Sequence, residues 1–370
     1  MKIILLILGS LLIAAFGLVV ILKSFSNSQV NIPSINSESI NTPQGSANNE
    51  EKIRVIASGL NVPWALAFLP NNEILVTERV GKVKRISGEG QVIEIGAIAE
   101  VKQYGEGGLH GIALHPDFDK NGLVYFYYTF SSNGDNTSNR VVRFKLEDNQ
   151  LKNQEIIVDN IPGAIFHDGG RIKFGPDKNL YITTGDARVP SLSQDTSSLA
   201  GKILRVTPEG KAVSGNPFGN QVYSYGHRNP QGIAWDDQGR LWEVEHGESA
   251  LDEVNLIEIG KNYGWPTIRG DQTRDGMISP IVHSGSATWA PSGMASKNGK
   301  LYFAGLRGVA LFEINADPTN PDLKKSFENE YGRIREAILG PEGFLYITTN
   351  NTDGRGIPKA NDDKIIRLKI

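Results

Sequence analysis

Two short segments of the sequence bring together a histidine and a carboxylate that could act as an acid–base pair. His167 lies in His167-Asp-Gly-Gly-Arg171, and Asp186 ends Thr183-Thr-Gly-Asp186, with a predicted hairpin strand between them. A carboxylate beside an imidazole fixes its tautomer and supports its protonated form, as a general base requires. The spacing therefore predicts a base at His167 oriented by Asp186. The alternative is a turn histidine near a turn-forming aspartate.

A third segment, Tyr225-Gly-His-Arg-Asn-Pro-Gln-Gly232, concentrates polar side chains immediately before another predicted strand. His227, Arg228 and Asn229 together would suit a planar anionic ligand, because the guanidinium of Arg228 presents a rigid fork of donors to carboxylate or quinone oxygens. Asn-Pro and Gln-Gly are also common turn pairs, so an ordinary surface loop is the alternative.

Three further arginines form a candidate anion site. Arg333 and Arg335 are two residues apart on a predicted strand and therefore point to the same face, and Arg307 lies in Gly305-Leu-Arg-Gly308. Like charges side by side are unfavourable unless an anion or solvent lies between them. A solvent-exposed outer strand would explain the same pattern.

Four carboxylates lie within the nine residues Glu245-His-Gly-Glu-Ser-Ala-Leu-Asp-Glu253. Gly247 allows a tight backbone there, and carboxylate and carbonyl oxygens together are the ligands that Ca²⁺ prefers. The spacing is not that of an EF-hand loop. A calcium site and a solvated acidic loop are both compatible with the segment.

These segments flank a phrase that the chain repeats six times, a turn of Pro, Asp, Asn or Gly followed by a short aromatic or β-branched strand. The copies recur roughly every 45 to 60 residues, the period of a four-stranded propeller blade with insertions. The repeat predicts an all-β domain over residues 53–370, a six-bladed β-propeller with its chemistry at the channel. A final strand within Asp362–Ile370 could pair with one that starts near Ile53 and close the ring. The six copies begin at Leu69, His115, Gly175, Trp235, Ser296 and Gly340.

Composition excludes several classes of function. The 370 residues carry a net charge of −3, which argues against nucleic-acid binding. The chain has no cysteine, so it can form no disulfide, zinc–thiolate site or thiol nucleophile.

The N-terminus predicts a location outside the cytoplasm. Residues 3–22 carry no charge between Lys2 and Lys23, a length that suits a membrane-spanning helix. Residues 1–23 are therefore expected to be a membrane anchor or a signal segment, and the Ser- and Asn-rich residues 24–52 a disordered linker. The rest of the chain would then be periplasmic or extracellular, secreted if the segment is cleaved.

In their order along the chain, these segments resemble the pyrroloquinoline quinone (PQQ)-dependent aldose sugar dehydrogenases, the family of soluble glucose and sorbosone dehydrogenases. The resemblance covers residues 55 to 370 almost entirely, and the combination of Gly226-His-Arg-Asn-Pro-Gln-Gly232 with Asn262-Tyr-Gly-Trp-Pro266 is specific. The other matching stretches are Gly59-Leu-Asn-Val-Pro-Trp-Ala65, Gly105-Glu-Gly-Gly-Leu-His-Gly-Ile-Ala-Leu-His-Pro116, His167–Arg171, Asp252-Glu-Val-Asn-Leu256 and Ala290-Pro-Ser-Gly293.

The resemblance implies oxidation of an aldose at its anomeric carbon to a lactone, with electrons passed to an external acceptor such as a quinone, cytochrome or dye. It implies PQQ and Ca²⁺ as cofactors, His167 as the base, Asp186 as its orienting carboxylate and Arg228 as a stabiliser of developing charge. The residues matched to cofactor contacts are Arg228, Asn229, Thr288, Arg307, Arg333 and Arg335.

Two calcium sites follow from the same resemblance. The backbone oxygens of Gly247 and Glu248 match ligands of an ion beside PQQ, and Glu253 and Tyr263 match a second, structural site. Glu106 departs from the pattern, since the glucose enzymes carry a glutamine near the sugar, and a carboxylate there would alter sugar preference.

Two other functions remain compatible with the sequence. One is a Ca²⁺-dependent lactonase-type propeller, a hydrolase with no need for the arginine cluster. The other is a non-enzymatic, membrane-tethered binding propeller, in which His167 would be dispensable.

Overall fold

The computed structural model describes residues 52–134 and 136–370, and this part of the chain forms six antiparallel sheets of four strands each. The predicted six-bladed, all-β propeller is confirmed. The predicted anchor or signal segment and nearly all of the predicted linker lie outside the described residues. No helix within the described ranges has the length and apolar character needed to cross a membrane.

The blades follow one another along the chain, and the strands are numbered in sequence order. The described part of the chain starts with β1 (Ile53–Ala57). Blade A contains β2 (Pro63–Phe68), β3 (Ile74–Glu78), β4 (Lys82–Ile86) and β5 (Val92–Ala97). Blade B contains β6 (Leu109–Leu114), β7 (Leu123–Asn133), β8 (Asn136–Glu147) and β9 (Gln150–Pro162), with the short helix α1 (Phe118–Asn121) between β6 and β7. Blade C contains β10 (Ile172–Phe174), β11 (Leu180–Thr184), β12 (Lys202–Val206) and β13 (Val222–Tyr225), with a 3₁₀ turn at Pro190–Gln194.

The last three blades follow the same plan. Blade D contains β14 (Pro230–Trp235), β15 (Leu241–Glu245), β16 (Glu253–Ile257) and β17 (Val282–His283). Blade E contains β18 (Pro291–Lys297), β19 (Lys300–Gly305), β20 (Ala310–Asn315) and β21 (Lys324–Ser326). Blade F contains β22 (Ile334–Leu339), β23 (Leu345–Thr349) and β24 (Ile365–Leu368), and its fourth strand is β1.

Each repeated phrase forms the hairpin between the first two strands of a blade. The turn requires one residue in the left-handed region, which Gly239 and Gly343 occupy with φ of 76° and 84°. Asn72 takes the equivalent place with φ of 66°. The second strand then lies between neighbouring blades, and all five residues of β3, β11, β15 and β23 are buried. This burial explains the apolar and aromatic composition of the repeat.

The ring closes through the first strand of the domain. β1 pairs antiparallel with β24, and Ile53 lies opposite Leu368. The predicted closure is therefore confirmed.

One end of the propeller collects the predicted site residues. In an antiparallel hairpin, the start of the first strand and the end of the second lie at the same edge. His167 and Arg228 precede the first strands β10 and β14, while Asp186 and Arg307 follow the second strands β11 and β19. The repeat thus brings residues from distant parts of the sequence to one mouth of the channel.

Candidate active site

His167 and Asp186 form the hydrogen-bonded pair that their spacing predicted. His167 Nδ1 lies 2.7 Å from Asp186 Oδ1. The backbone N–H of Arg188 also donates to Asp186 Oδ1, and Trp265 Nε1 donates to Oδ2 at 2.8 Å. Asp186 is fully buried, whereas 18% of the His167 side chain is exposed. Because the carboxylate accepts from Nδ1, the lone pair for taking a proton is on Nε2.

The backbone at His167 is held in an uncommon conformation. Its φ is 69°, in the left-handed region that non-glycine residues seldom adopt. Gly185 crosses close by, and a Cβ at that glycine would come within 1.9 Å of the His167 carbonyl oxygen. Only glycine at position 185 therefore lets the two loops of the pair approach this closely.

Arg228 and Asn229 join the same constellation. The backbone N–H of Asp186 donates to the Arg228 carbonyl at 2.9 Å, and Asn229 Oδ1 accepts from the N–H of Gly169 at 3.1 Å. Burial lowers the pKa of Arg228. Two of their donor atoms, Arg228 Nε and Asn229 Nδ2, are buried and have no hydrogen-bond partner in residues 52–134 and 136–370. Since buried donors are normally satisfied, these two atoms are available as donors to a bound ligand.

A cavity of about 640 Å³ opens beside this constellation, and its walls are strongly basic. Arg307, Arg333 and Arg335 all line it, so the structure brings the predicted arginine cluster together. Arg333 pairs with Asp353 at 2.7 Å, while Arg335 donates to Gln231 Oε1 at 2.6 Å. Burial lowers the pKa of Arg335 to about 9, and its Nε has no partner. An anion in the cavity would compensate these charges.

Glu106 connects the cavity to the histidine. Its Oε1 accepts from Arg355 at 2.7 Å, and its Oε2 from the backbone N–H of His167 at 3.4 Å. Burial by itself would raise the pKa of Glu106, but His246, Arg355 and Arg335 outweigh it and lower the pKa to about 2. Because burial also lowers the pKa of His246, the two arginines provide the positive charge at neutral pH. Glu106 is thus a permanent carboxylate at the cavity wall.

The four residues predicted to hold metal surround one small cavity of about 10 Å³, room for roughly one water molecule or ion. Gly247 is fixed there because its N–H donates to Asp252 Oδ1 at 2.9 Å. Glu248 turns its side chain outward to Arg269, which leaves only its backbone oxygen for a metal. Tyr263 donates its hydroxyl to the Leu256 carbonyl at 2.7 Å.

Beside this cavity lies a buried acidic cluster, of which the sequence indicated Glu245 and Glu253 but not Glu243. Ligand atoms of His227, Glu243 and Glu245 lie within 4.8 Å of one another. Burial and the neighbouring Glu245 raise the pKa of Glu253 to about 8, and burial also raises that of Glu243. Glu243 Oε1 and Asn255 Oδ1 have no partner. This set of buried oxygens fits a divalent cation.

Thr288 lies apart from the large cavity. Its hydroxyl donates to the Ser249 carbonyl at 2.9 Å, and it is absent from the cavity lining. In this structure Thr288 therefore supports the loop that carries Gly247.

Residues 60–365 match the sequence model of the glucose/sorbosone dehydrogenase family. The chain belongs to this family. Its fold superimposes on the PQQ-bound form of the aldose sugar dehydrogenase of Streptomyces coelicolor with a TM-score of 0.81 and 43% identity, covering 85% of this chain and 96% of the other. It is 30% identical to the Escherichia coli aldose sugar dehydrogenase YliI, over 82% of this chain and 91% of that protein.

A further relative matches over a shorter stretch of the chain. Quinoprotein glucose dehydrogenase B of Acinetobacter calcoaceticus is 34% identical over 251 residues, which is 59% of this chain and 52% of that protein. The family membership inferred from the motifs is confirmed.

Sequence reasoning missed several residues of this site. Glu243 was not singled out, although it alternates with apolar residues and with Glu245 in Leu241-Trp-Glu-Val-Glu245, a pattern that puts both carboxylates on one buried face. That alternation was the available signal. Arg355 had none, because it reaches the cavity through a contact with a residue 249 positions away. Gln231 lies in the polar segment Tyr225–Gly232, but nothing indicated its contact with Arg335, which is 104 positions away.

Proposed function

We propose that this protein oxidises an aldose at its anomeric carbon to the lactone, with PQQ and Ca²⁺ as cofactors. The observation that carries the proposal is the hydrogen bond of the partly exposed His167 to the buried Asp186, in a pair linked through Glu106 to a 640 Å³ cavity lined by arginines. A base beside an anion-binding cavity suits a substrate hydroxyl held against a polycarboxylate cofactor.

The residues present fit PQQ, which is a planar quinone with three carboxylates. Arg307, Arg333 and Arg335 would hold the carboxylates, and the unpartnered Nε of Arg335 is a donor available for one of them. Arg228 and Asn229 each offer a further unpartnered buried donor on the histidine side. PQQ, when bound, supplies a quinone carbonyl carbon that accepts hydride from the sugar.

The residues of the chain perform the proton chemistry. His167 Nε2 takes the proton of the anomeric hydroxyl, and Asp186 stabilises the imidazolium that results. Arg228 places its positive charge near the same substrate oxygen, where it stabilises the negative charge that develops. Glu106 and Arg355 contact the sugar hydroxyls at the cavity entrance and select among aldoses.

Two calcium ions complete the proposed site. The backbone oxygens of Gly247 and Glu248 would bind one ion at the small cavity between Arg228 and the acidic cluster. A second ion would bind at Glu253 and Tyr263 and neutralise the buried carboxylates of Glu243 and Glu245. The large share of oxygen ligands favours Ca²⁺ over softer metals.

The electrons would leave to an external acceptor, and the predicted N-terminal segment would place this chemistry outside the cytoplasm. The arginine-lined cavity favours the dehydrogenase over the lactonase-type hydrolase, which needs carboxylates around a metal and no anion site.

The test is a titration of the purified protein with PQQ in the presence of Ca²⁺, followed by quinone absorbance and by reduction of a dye on addition of an aldose. Saturable binding with sugar-dependent dye reduction is the expected result. Arg335→Met should lose most of the PQQ affinity, while Arg54→Met, on the outer strand β1, should titrate like the wild type. Absence of PQQ binding, or hydrolysis of lactones without any dye reduction, would contradict the proposal.

A further inference from the structure

A second cavity, of about 420 Å³, lies between the far ends of the innermost strands. Its lining comes from the C-terminal halves of the first strands of the blades, such as Leu66–Phe68, Ile112–Leu114 and Ile338–Leu339. The candidate active site lies at the opposite, N-terminal ends of these strands. The second cavity is therefore the other mouth of the channel.

Buried, hydrogen-bonded polar side chains fill the channel between the two mouths. Arg171 Nη1 pairs with Glu336 Oε2 at 2.5 Å, and Arg171 Nε donates to the Gln231 carbonyl at 3.0 Å. The guanidinium also lies 4.3 Å from the ring centroid of Trp64. Gln231 lines the first cavity, whereas Arg171 and Glu336 line the second. A ligand in the far mouth would thus be isolated from the catalytic residues.

The charges of the far mouth leave one positive charge uncompensated. Its charged lining residues are Arg171, Lys173 and Glu336, and Arg171 and Glu336 neutralise each other. Lys173 Nζ donates to the Met294 carbonyl at 2.7 Å, and it forms no ion pair within the described part of the chain. An ammonium has three donors, so two remain for a ligand.

Other polar atoms of the far mouth also lack partners. Arg171 is 2% exposed, and among the described residues neither its Nη2 nor Ser296 Oγ has a hydrogen-bond partner. Both residues line the cavity. Buried donors without partners mark a place where an acceptor belongs. Burial lowers the pKa of Lys173 to about 8. A bound anion would raise this pKa again, because it stabilises the charged ammonium.

The remaining walls are apolar and include three aromatic rings, those of Phe68, Phe174 and Trp235. Each is held by an edge-on contact with a tyrosine, with ring centroids 4.8 to 5.1 Å apart. All three are only half-buried, so ring surface remains open at the cavity. Such walls with one ammonium are complementary to a flat apolar body that carries a single negative charge.

We infer that the far mouth of the channel is a second ligand site, which binds aromatic monocarboxylates through Lys173. The carboxylate accepts from Lys173 Nζ, with Ser296 Oγ and Arg171 Nη2 as additional donors, and the ring packs among Phe68, Phe174 and Trp235. The site does not depend on PQQ and is separate from the sugar site.

The test is calorimetric titration of the protein with benzoate and, separately, with benzamide, the neutral analogue of the same shape. Benzoate should bind at pH 6.5 at least tenfold more tightly than benzamide, because a charge-assisted hydrogen bond replaces a neutral one. Lys173→Met should weaken benzoate binding about ten- to a hundredfold and leave benzamide unchanged. Lys178→Met, with a side chain 70% exposed, is the matched control and should bind like the wild type.

Binding of benzoate should also weaken as pH rises through about 8, the pKa of Lys173. Sugar oxidation by the PQQ-loaded protein should be the same in Lys173→Met and wild type. Equal affinity for benzoate and benzamide, full benzoate affinity in Lys173→Met, or no binding of benzoate at millimolar concentration would each overturn the inference.

Discussion

His167 combines an uncommon backbone conformation with a fully buried partner. Left-handed backbone at a non-glycine residue costs roughly 1 kcal/mol or more and persists only where the surroundings enforce it. Here Gly185 allows the close approach and Asp186 fixes the ring. The hydrogen bond to Asp186 therefore holds Nε2 in one direction before any substrate arrives.

Replacement of His167 by alanine should cut turnover of the PQQ- and Ca²⁺-loaded protein about 10²- to 10⁴-fold, the usual contribution of a positioned general base. Dye reduction with saturating aldose measures this, and PQQ absorbance should show nearly unchanged cofactor binding. Asp186→Asn should cause part of the same loss. The double variant should be little worse than His167→Ala, because the two residues act as a unit. Full activity of His167→Ala would refute the assignment of the base.

Asp168, the neighbour of the histidine, gives the stability of the fold a pH dependence. Burial raises the pKa of its carboxyl to about 7 from an ordinary value of 3.8, although hydrogen bonds from Asn139 and Ala164 oppose the shift. Oδ2 has no partner. The folded protein therefore favours the protonated form, and stability is lost as pH rises from about 4 through about 7.

Asp168→Asn removes this titration while it keeps the oxygen that accepts from Asn139 and Ala164. The free energy of unfolding of the variant minus that of the wild type should become more positive by about 2 to 3 kcal/mol as the pH is raised from 5 to 8, because only the wild type loses stability over this range. Urea unfolding at both pH values measures the difference. Asp119→Asn, at an exposed position on α1, should show no such change. A difference for Asp168→Asn that does not vary with pH would contradict the shifted pKa.

At the scale of single elements, β15 and β16 carry the acidic cluster between two blades. Glu243 and Glu245 lie on β15, and Glu253 starts β16 directly opposite Glu245. Like charges paired across strands destabilise a sheet, and burial increases this cost. A bound cation would convert the repulsion into attraction and fasten the loop between the two strands.

Removal of Ca²⁺ with EGTA should therefore lower the melting temperature by several degrees, since an ion that binds only the folded state stabilises it by mass action. Glu243→Gln should lower the melting temperature of the Ca²⁺-loaded protein and shrink the EGTA effect. Glu89→Gln, in an exposed turn, should respond to EGTA like the wild type. An unchanged melting temperature after EGTA would argue against the structural ion.

Local elements were predictable because their determinants are close in sequence. The turn and strand of each repeat need only a few adjacent residues, and a single hairpin joins His167 to Asp186. Contacts between blades were not predictable in this way. Glu106 meets Arg355, and Arg171 meets Glu336, only because closure of the ring brings different blades to the same central channel; the paired residues are 249 and 165 positions apart in the sequence. Their partners depend on the number and order of blades, which residue spacing does not specify.

At the scale of the whole molecule, β1 completes blade F without contributing much core. Ile53 and Val55 are exposed, whereas Ile56 and Ala57 pack into the cluster between blades F and A. Its main contribution is the ladder with β24, which would otherwise be an open edge.

A protein that starts at residue 58 should consequently melt several degrees lower than one that starts at residue 52, and it should self-associate through the exposed edge of β24. Thermal unfolding and analytical ultracentrifugation of the two proteins measure this. The protein that starts at residue 52 is the matched control, because it retains β1 and, like the shorter protein, lacks residues 1–51. Equal melting temperatures would show that the pairing of β1 with β24 adds nothing to stability.

The pairing of Ile53 with Leu368 also determines when the ring can close during synthesis. β1 leaves the ribosome first and β24 last. The first strand of the domain therefore stays unpaired until almost the whole chain has been synthesised. Blades A to E have all their strands much earlier. Until the final strand emerges, the nascent propeller is an open arc, and its two free edges are the surfaces that a chaperone or an export machinery would meet.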